Sequence, residues 1–186
     1  MPSPRKRADT RPDLRHGILF AILGALMYVS KWITEPLPNI HLLGMFTMVY
    51  TLVYRKWALI PIYVFVFLAG LIHAGFSLWW VPYLYIWAVL WGVTMLLPRR
   101  LPVRWQVPLY MAVCALHGLC YGTLYAPFQM LAFGCSFKQT LAWIAAGFPW
   151  DVTHALGNLA AGTLIVPLVA LLRRLERTVF GVNGPG

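Results

Sequence analysis

The chain of 186 residues is 60% hydrophobic and only 11% charged, and its mean hydropathy is +0.70. These values lie far outside the range of soluble globular proteins, so the composition predicts an all-α integral membrane protein. The formal net charge of +10 does not indicate nucleic-acid binding, because the basic residues form short clusters between apolar segments and no soluble domain presents a basic face.

Six apolar segments, separated by polar or basic breaks, are predicted to be transmembrane helices. They cover approximately residues 17–33, 40–54, 57–75, 77–97, 107–125 and 148–172. Residues 126–138 are too short and too interrupted to span a bilayer, and residues 140–146 are predicted to form a short helix at the membrane surface. The predicted organisation is a basic N-terminal tail (1–15), a six-helix membrane domain (16–174) and a short C-terminal tail (175–186).

The positions of lysine and arginine predict that both termini are cytoplasmic. In this orientation 13 of the 15 basic residues lie on the cytoplasmic side, in the N-terminal tail and in the clusters at 55–56, 99–104 and 173–177. Only Lys31 and Lys138 are then placed on the outer side.

The last apolar segment carries a polar stripe formed by Asp151, His154 and Asn158. Their spacing of three and then four residues puts them on one face of a helix. Polar groups in a membrane helix usually face a protein interior or a water-filled cavity, so we interpret the stripe as one wall of a binding site. An alternative for Asp151 is that it caps the N-terminus of its own helix. Asn158 lies two turns further along, where capping does not explain it.

The predicted orientation collects most of the other polar and aromatic groups at the outer face of the membrane. Aromatic rings mixed with a few hydrogen-bonding groups suit a small, flat, polar heterocycle, although tryptophan and tyrosine are also common as interface anchors. His41 and His73 lie in the same region. The candidate substrate-binding residues are Lys31, Trp32, Glu35, Asn39, Trp79, Trp80, Tyr125, Gln129, Lys138, Trp143, Trp150, Asp151, His154 and Asn158.

Catalysis and metal binding are not indicated. The sequence lacks the motifs of metallohydrolases, serine hydrolases and P-loop ATPases. The three cysteines have no Cys-x-x-Cys spacing and are interpreted as small apolar residues. His117 is interpreted as a buried, satisfied histidine, and the pair Trp87 and Trp91 as helix packing. No catalytic residue and no metal site are therefore predicted.

Three short motifs carry a family resemblance. They are Ala21-Ile-Leu-Gly-Ala25 in the first helix, Pro38-Asn39 in a proline-containing first loop, and Asp151-Val-Thr-His-Ala-Leu-Gly-Asn158 in the last predicted helix. Together with the length, the six predicted spans and the cytoplasmic termini, they make the chain similar to the substrate-binding S component of energy-coupling factor (ECF) transporters. The resemblance covers approximately residues 17–172.

The resemblance implies a subunit of a prokaryotic plasma-membrane importer. Such a subunit binds a vitamin or related micronutrient at its extracytoplasmic end, under a first loop that closes over the ligand. It implies that Ala21 and Ala25 dock on a transmembrane coupling subunit, and that two ATPase subunits, which carry ATP and Mg²⁺, supply the energy. The chain itself is then not an enzyme and carries no cofactor.

The residues leave the substrate and two other functions open. The tryptophans with Glu35 and Asp151 would suit a cationic heterocycle such as a thiamin-like or pyrimidine compound, whereas Lys31 and Lys138 would suit a carboxylate. One alternative function is a membrane enzyme that uses His117, Tyr121, Asp151 and His154 for proton transfer. The other is a stand-alone transporter without an ATPase module.

Overall fold

The computed structural model describes residues 13–73 and 75–181, and these residues are 84% helical with no strand among them. The all-α prediction is therefore confirmed. Eight α-helices follow one another: α1 Leu14–Thr34, α2 Leu43–Tyr54, α3 Leu59–Leu68, α4 Tyr83–Leu96, α5 Val103–Leu119, α6 Tyr121–Phe133, α7 Phe137–Gly162 and α8 Ile165–Phe180. The predicted tail residues 1–12 and 182–186 lie outside the described part, and residues 175–180 continue α8 rather than a tail.

Several helices are long and apolar enough to cross a membrane. By length and composition there are four in the described part, and a fifth if one bent pair counts as a single span. They are Leu14–Thr34, Leu43–His73, Leu78–Leu96 and Val103–Phe133, with Phe137–Gly162 and Ile165–Val179 as the pair bent by 48°. This supports a membrane protein, and it is a smaller number than the six spans that we predicted.

The difference begins at residues 43–73, where the sequence predicts two spans. Short helical turns of other types, Arg55–Ala58 and Ala69–His73, join α2 and α3 into one helical run. The chain nevertheless reverses direction between α2 and α3. The turn is at Arg55, which has a φ of 54° and whose carbonyl accepts a hydrogen bond from Trp91. The reversal is shown by His41, before α2, and Phe65, in α3, which both contact Trp87. With 12 residues, α2 is about 18 Å long, shorter than the hydrocarbon layer of about 30 Å.

The predicted boundaries of the last helix were wrong. Instead of a surface helix at 140–146 and a span from 148, α7 is continuous from Phe137 and contains Pro149 in its interior. Its start is fixed by a capping box, in which the Ser136 hydroxyl accepts from the Gln139 N–H and the Gln139 side chain accepts from the Ser136 N–H. At the other end α7 stops at Gly162, five residues before Pro167, which has no N–H to donate to the Thr163 carbonyl.

Residues 126–138 also differ from the prediction. Most of them continue the long α5–α6 helix to Phe133, and a short turn at Gly134 leads into α7. The two helices pack antiparallel, with Met111 beside Gly162 at one end and Tyr125 beside Trp143 near the other. This α5–α6/α7 hairpin forms one side of the bundle, and it places the α7 polar stripe against a neighbouring helix.

The other side of the bundle is the pair α1 and α3, which pack closely because Gly24 has no side chain. A Cβ built on Gly24 would lie 2.5 Å from a Val64 methyl group. The buried core between the two sides contains Phe20, Tyr50 and Trp87. Some polar atoms in this core are hydrogen-bonded; for example, the Tyr50 hydroxyl donates to the Leu23 carbonyl at 2.9 Å.

Candidate functional site

The predicted polar stripe of α7 lies inside the protein. Asp151, His154 and Asn158 are respectively 5%, 4% and 1% exposed, on the face of α7 that packs against α5 and α6. Burying such groups is unfavourable unless each finds partners. The partners of the three side chains differ, and the differences distinguish structural from potential binding roles.

Asp151 has a structural partner. Its Oδ1 accepts a hydrogen bond of 2.9 Å from the backbone N–H of Gly122. The helix is interrupted at Cys120, and no side chain of its own caps the start of α6, so a carboxylate from α7 supplies the acceptor that this N-terminus lacks. The alternative that Asp151 caps its own helix is wrong, because α7 begins fourteen residues earlier, at Phe137.

Asn158 is only half satisfied. Its Nδ2 donates to the Cys114 carbonyl at 3.1 Å, but its Oδ1 is buried without a hydrogen-bond partner. Gly44 of α2 and Gly118 of α5 make the space for this amide, since a Cβ on either would come within 3.2 Å of it. An unpaired acceptor at such depth is unfavourable by about 1–3 kcal/mol.

His154 contacts His41, which lies just before α2 in the loop that follows α1. The two Nε2 atoms are 2.5 Å apart, so one imidazole donates to the other. His41 Nδ1 is buried without a partner. Whichever ring donates, one polar atom of His41 is left unpaired inside the bundle.

Aromatic rings surround this histidine pair. The Tyr121 ring lies 4.6 Å from the His154 ring, and the Trp87 ring lies 5.8 Å from the rings of both His41 and His117. Trp87 is fully buried, yet its indole N–H has no acceptor. We refer to His41, Trp87, His117, Tyr121 and His154 as the ring cage.

A second group of residues leads from the ring cage to the end of the bundle where α3 and α4 are joined. Trp79, Tyr83 and Trp87 are spaced by four residues, and each ring meets the next edge to face at 5.5–5.6 Å. The Tyr125 hydroxyl donates to the Trp79 carbonyl, and the Tyr125 ring lies 5.9 Å from Trp143. Three predicted site residues, Trp79, Tyr125 and Trp143, are thus brought together here.

The loop residues of the prediction form an outer rim. Glu35 Oε1 lies 3.4 Å from His73 Nε2, and the His73 ring packs against Trp79. Lys31 is close enough to interact electrostatically with both Glu35 and His41. Asn39 has a left-handed φ of 56°, which asparagine tolerates better than most residues and which turns the loop back toward α2.

The remaining predicted residues do not join this group. Trp32 and Trp150 are 65% and 57% exposed, and Lys138 is exposed at the tip of the α6–α7 hairpin. Trp80 packs on Phe76 and donates its indole N–H to the Val66 carbonyl. Gln129 is partly exposed and forms no hydrogen bond among the described residues.

The residues at the centre carry weaker sequence signals. The sequence places His41 in the right region but not among the candidate binding residues, and it favours packing, or a role in an alternative enzyme, for Trp87, His117 and Tyr121. His117 does have a partner, the Ile86 carbonyl at 3.2 Å from its Nε2. The four-residue spacing of Trp79, Tyr83 and Trp87 is the signal in the sequence that marks the path.

The arrangement offers stacking surfaces together with unpaired donors and acceptors. The buried atoms without a partner among the described residues are the indole N–H groups of Trp79 and Trp87, the Asn158 side-chain oxygen and one nitrogen of His41. No group of three or more His, Cys, Asp or Glu residues suited to a metal ion occurs in the described part of the chain. No protein-family model, curated protein or solved structure matches the chain.

Proposed function

We propose that this protein is the substrate-binding membrane subunit of an ECF-type importer. The observation that carries the proposal is the set of buried polar atoms on His41, Trp87 and Asn158 that have no partner among the described residues. They come from the loop before α2, from α4 and from α7, where aromatic rings pack against His41 and Trp87. Buried polar atoms are normally paired. A ligand that paired them would convert an unfavourable arrangement into binding free energy.

The chemistry of the site favours a flat, polar heterocycle that has both donor and acceptor atoms. The rings of Trp87, Tyr121 and His154 supply stacking area, the indole N–H requires an acceptor, and the Asn158 oxygen requires a donor. A vitamin or vitamin precursor with a nitrogen heterocycle has these features. The nearest carboxylate, Asp151, is engaged by a backbone N–H, which reduces its value for a cationic ligand.

The loop between α1 and α2 is the element that would open the site. His41 and His154 are in contact in this structure, and breaking this contact would open the ring cage to a ligand. His41 lies outside the regular helices, at the end of a loop held by turn hydrogen bonds such as Leu37 N–H to the Thr34 carbonyl. Movement of this loop would carry His41 away and then return it over the ligand.

The proposed orientation places the rim outside the cell. Arg55, Arg99 and Arg173 come from separate segments and line one cavity at the opposite end of the bundle from the ring cage. Their convergence supports the interpretation of that end as cytoplasmic under the positive-inside rule. A prokaryotic plasma membrane, six functional passes and cytoplasmic termini are part of this proposal.

The test is to purify the protein in mild detergent without added ligand, denature it, and identify released small molecules by mass spectrometry. A tightly bound ligand dissociates slowly and survives purification. We expect a nitrogen heterocycle in stoichiometric amount. No released compound, combined with no change of tryptophan fluorescence on adding a panel of vitamins, would contradict the proposal.

Docking on a coupling subunit makes a separate prediction. Ala21 is exposed and Ala25 is partly exposed, whereas Gly24 between them packs on α3, so the alanine face is free for another helix. The double change Ala21→Trp and Ala25→Trp should abolish uptake and co-purification with the coupling module, because bulky rings prevent close helix approach. Ligand binding by the isolated subunit should be unchanged, and its loss would contradict the separation of the two roles.

A membrane enzyme remains the second candidate, because the close contact of His41 and His154 is a geometry in which a proton can be transferred. The engagement of Asp151 by Gly122 removes one member of the catalytic group that the sequence suggested. A released compound that is chemically altered on prolonged incubation with the protein would select the enzyme over the importer subunit.

A further inference from the structure

A cavity of about 470 Å³ lies at the end of the bundle away from the ring cage. His41 precedes the N-terminus of α2, whereas the cavity is lined by residues at the C-terminal end of α2, by the start of α5 and by α8. Four arginines face it: Arg55, Arg99, Arg173 and Arg177.

Among the described residues, most of the positive charge of these arginines has no balancing carboxylate. Of the four carboxylates in the described part, only Glu176 lines the cavity. That carboxylate accepts from the Tyr54 hydroxyl at 2.7 Å and lies 3.5 Å from His16 Nε2. The ion pairs among the described residues all involve histidine and none involves an arginine. Like charges gathered in one cavity repel each other, so an anion would stabilise them.

Two of the arginines are held in place by backbone carbonyls. Arg55 donates to the Met95 carbonyl at 2.8 Å, and Arg173 donates to the Leu52 carbonyl at 3.1 Å. A guanidinium has five N–H donors, so each keeps most of them for another partner. The Arg55 Nε–H is buried and has no hydrogen-bond partner among the described residues.

Neutral polar groups complete the polar part of the cavity lining. Tyr110 lies close enough to Arg55 and Arg173 for electrostatic interaction with both, and its hydroxyl can donate a hydrogen bond to an anion. Planar guanidinium groups bind the oxygens of a phosphate in pairs. A phosphate group is therefore the anion that best matches this set of donors.

The rest of the cavity lining is largely apolar. It includes Leu52 and Val53 of α2 and Val166 and Val169 of α8. The helix α8 also exposes Leu171, Leu175 and Val179 at four-residue spacing beside its arginines, which is the pattern of a helix at a membrane surface. A cavity lined by both arginines and apolar side chains, next to such a helix, suits an amphiphilic ligand better than a free ion.

We propose that this cavity binds the phosphate headgroup of an anionic phospholipid, with the acyl chains leaving along the apolar part of the lining. Basic pockets between membrane helices are suited to such headgroups. The bound lipid would hold together α2, the α4–α5 connection and α8, which contribute the four arginines. This inference concerns a different end of the molecule from the proposed nutrient site and does not depend on it.

The test compares two double variants. Arg99→Gln with Arg177→Gln removes two cavity arginines whose side chains form no hydrogen bond among the described residues, so folding should be preserved. Arg100→Gln with Arg104→Gln removes the same charge from exposed positions of the same end that do not line the cavity. The thermal midpoint of delipidated protein in neutral detergent is measured as phosphatidylglycerol, phosphatidylcholine or inorganic phosphate is added.

We expect phosphatidylglycerol to raise the midpoint of the wild type and of the Arg100/Arg104 variant in a saturable manner. The Arg99/Arg177 variant should require about tenfold more lipid for half of the effect. An equal response to phosphatidylcholine, or an equal response of both variants, would overturn the proposal. If inorganic phosphate reproduced the full shift, the cavity would be a site for a soluble phosphate compound and not for a lipid.

Discussion

If the ring cage is the ligand site that we propose, replacing His154 by alanine should abolish ligand retention while the helix bundle remains assembled. The imidazole is the contact partner of both His41 and Tyr121, so its removal takes away a ring surface and leaves the second His41 nitrogen without its partner. Each lost hydrogen bond with a buried group is worth about 1–3 kcal/mol, so we expect binding to weaken by about 100-fold. The measurement is the amount of compound released per mole of purified protein.

The control for this variant is His16→Gln at the other end of the bundle. His16 lies near Glu176, far along the chain and the fold from the ring cage, so ligand retention should equal that of the wild type. Thermal unfolding of both variants is measured in parallel. Full retention by His154→Ala would rule out the ring cage as the site, and a collapse of its unfolding transition would assign His154 to packing instead.

The class of the protein follows from the sequence because it depends on composition. Long apolar runs predict membrane helices whatever their arrangement, and the basic clusters at 55–56, 99–104 and 173–177 do meet in part at one cavity. The number of membrane passes is harder to predict from the sequence. Whether Arg55 ends one helix and begins another depends on a left-handed backbone turn and on its contact with Trp91, which are set by α4.

The start of the last helix illustrates a boundary that the apolar pattern places wrongly. The apolar segment predicts a start at residue 148, whereas α7 begins at Phe137. The capping box of Ser136 and Gln139 is a local signal, and it marks the true start of α7. Pro149 is tolerated in the interior, as Pro108 is in α5 and Pro127 in α6.

The arrangement of the candidate site could be predicted where it lies on one helix and not where it depends on contacts with distant segments. The spacing of Asp151, His154 and Asn158 indicates a shared face, and all three are buried. Their partners cannot be found the same way, because His41 is 113 residues before His154 and Cys114 is 44 residues before Asn158. The surroundings of Trp87 likewise combine residues from four segments, so its role as the centre of a ring cage has no local signature.

The largest stability effect is expected from Gly118→Ala. A Cβ at this position would lie 2.8 Å from Asn158 Nδ2, 2.9 Å from the His154 carbonyl oxygen and 3.0 Å from the Ala155 nitrogen. Two of these atoms belong to the α7 backbone, so a side-chain rotation does not relieve the clash and α5 must separate from α7. Overpacking of this kind is unfavourable by about 1–3 kcal/mol. The thermal midpoint in detergent should fall by roughly 2–12 °C.

Gly92→Ala is the matched control, because Gly92 also lies in a long apolar helix but a Cβ there meets nothing within 4 Å. Replacing a helical glycine by alanine in open space favours the helix by about 1 kcal/mol, so this variant should be as stable as the wild type or more so. The opposite signs of the two changes in stability separate the effect of close helix packing from that of helix propensity.

Because Gly118 faces Asn158 and His154, its variant should also lose ligand in proportion to the separation of the helices. Equal stability of the two variants would show that α5 and α7 are not as close in the membrane as they are here, and the buried position of the α7 polar stripe would then no longer hold.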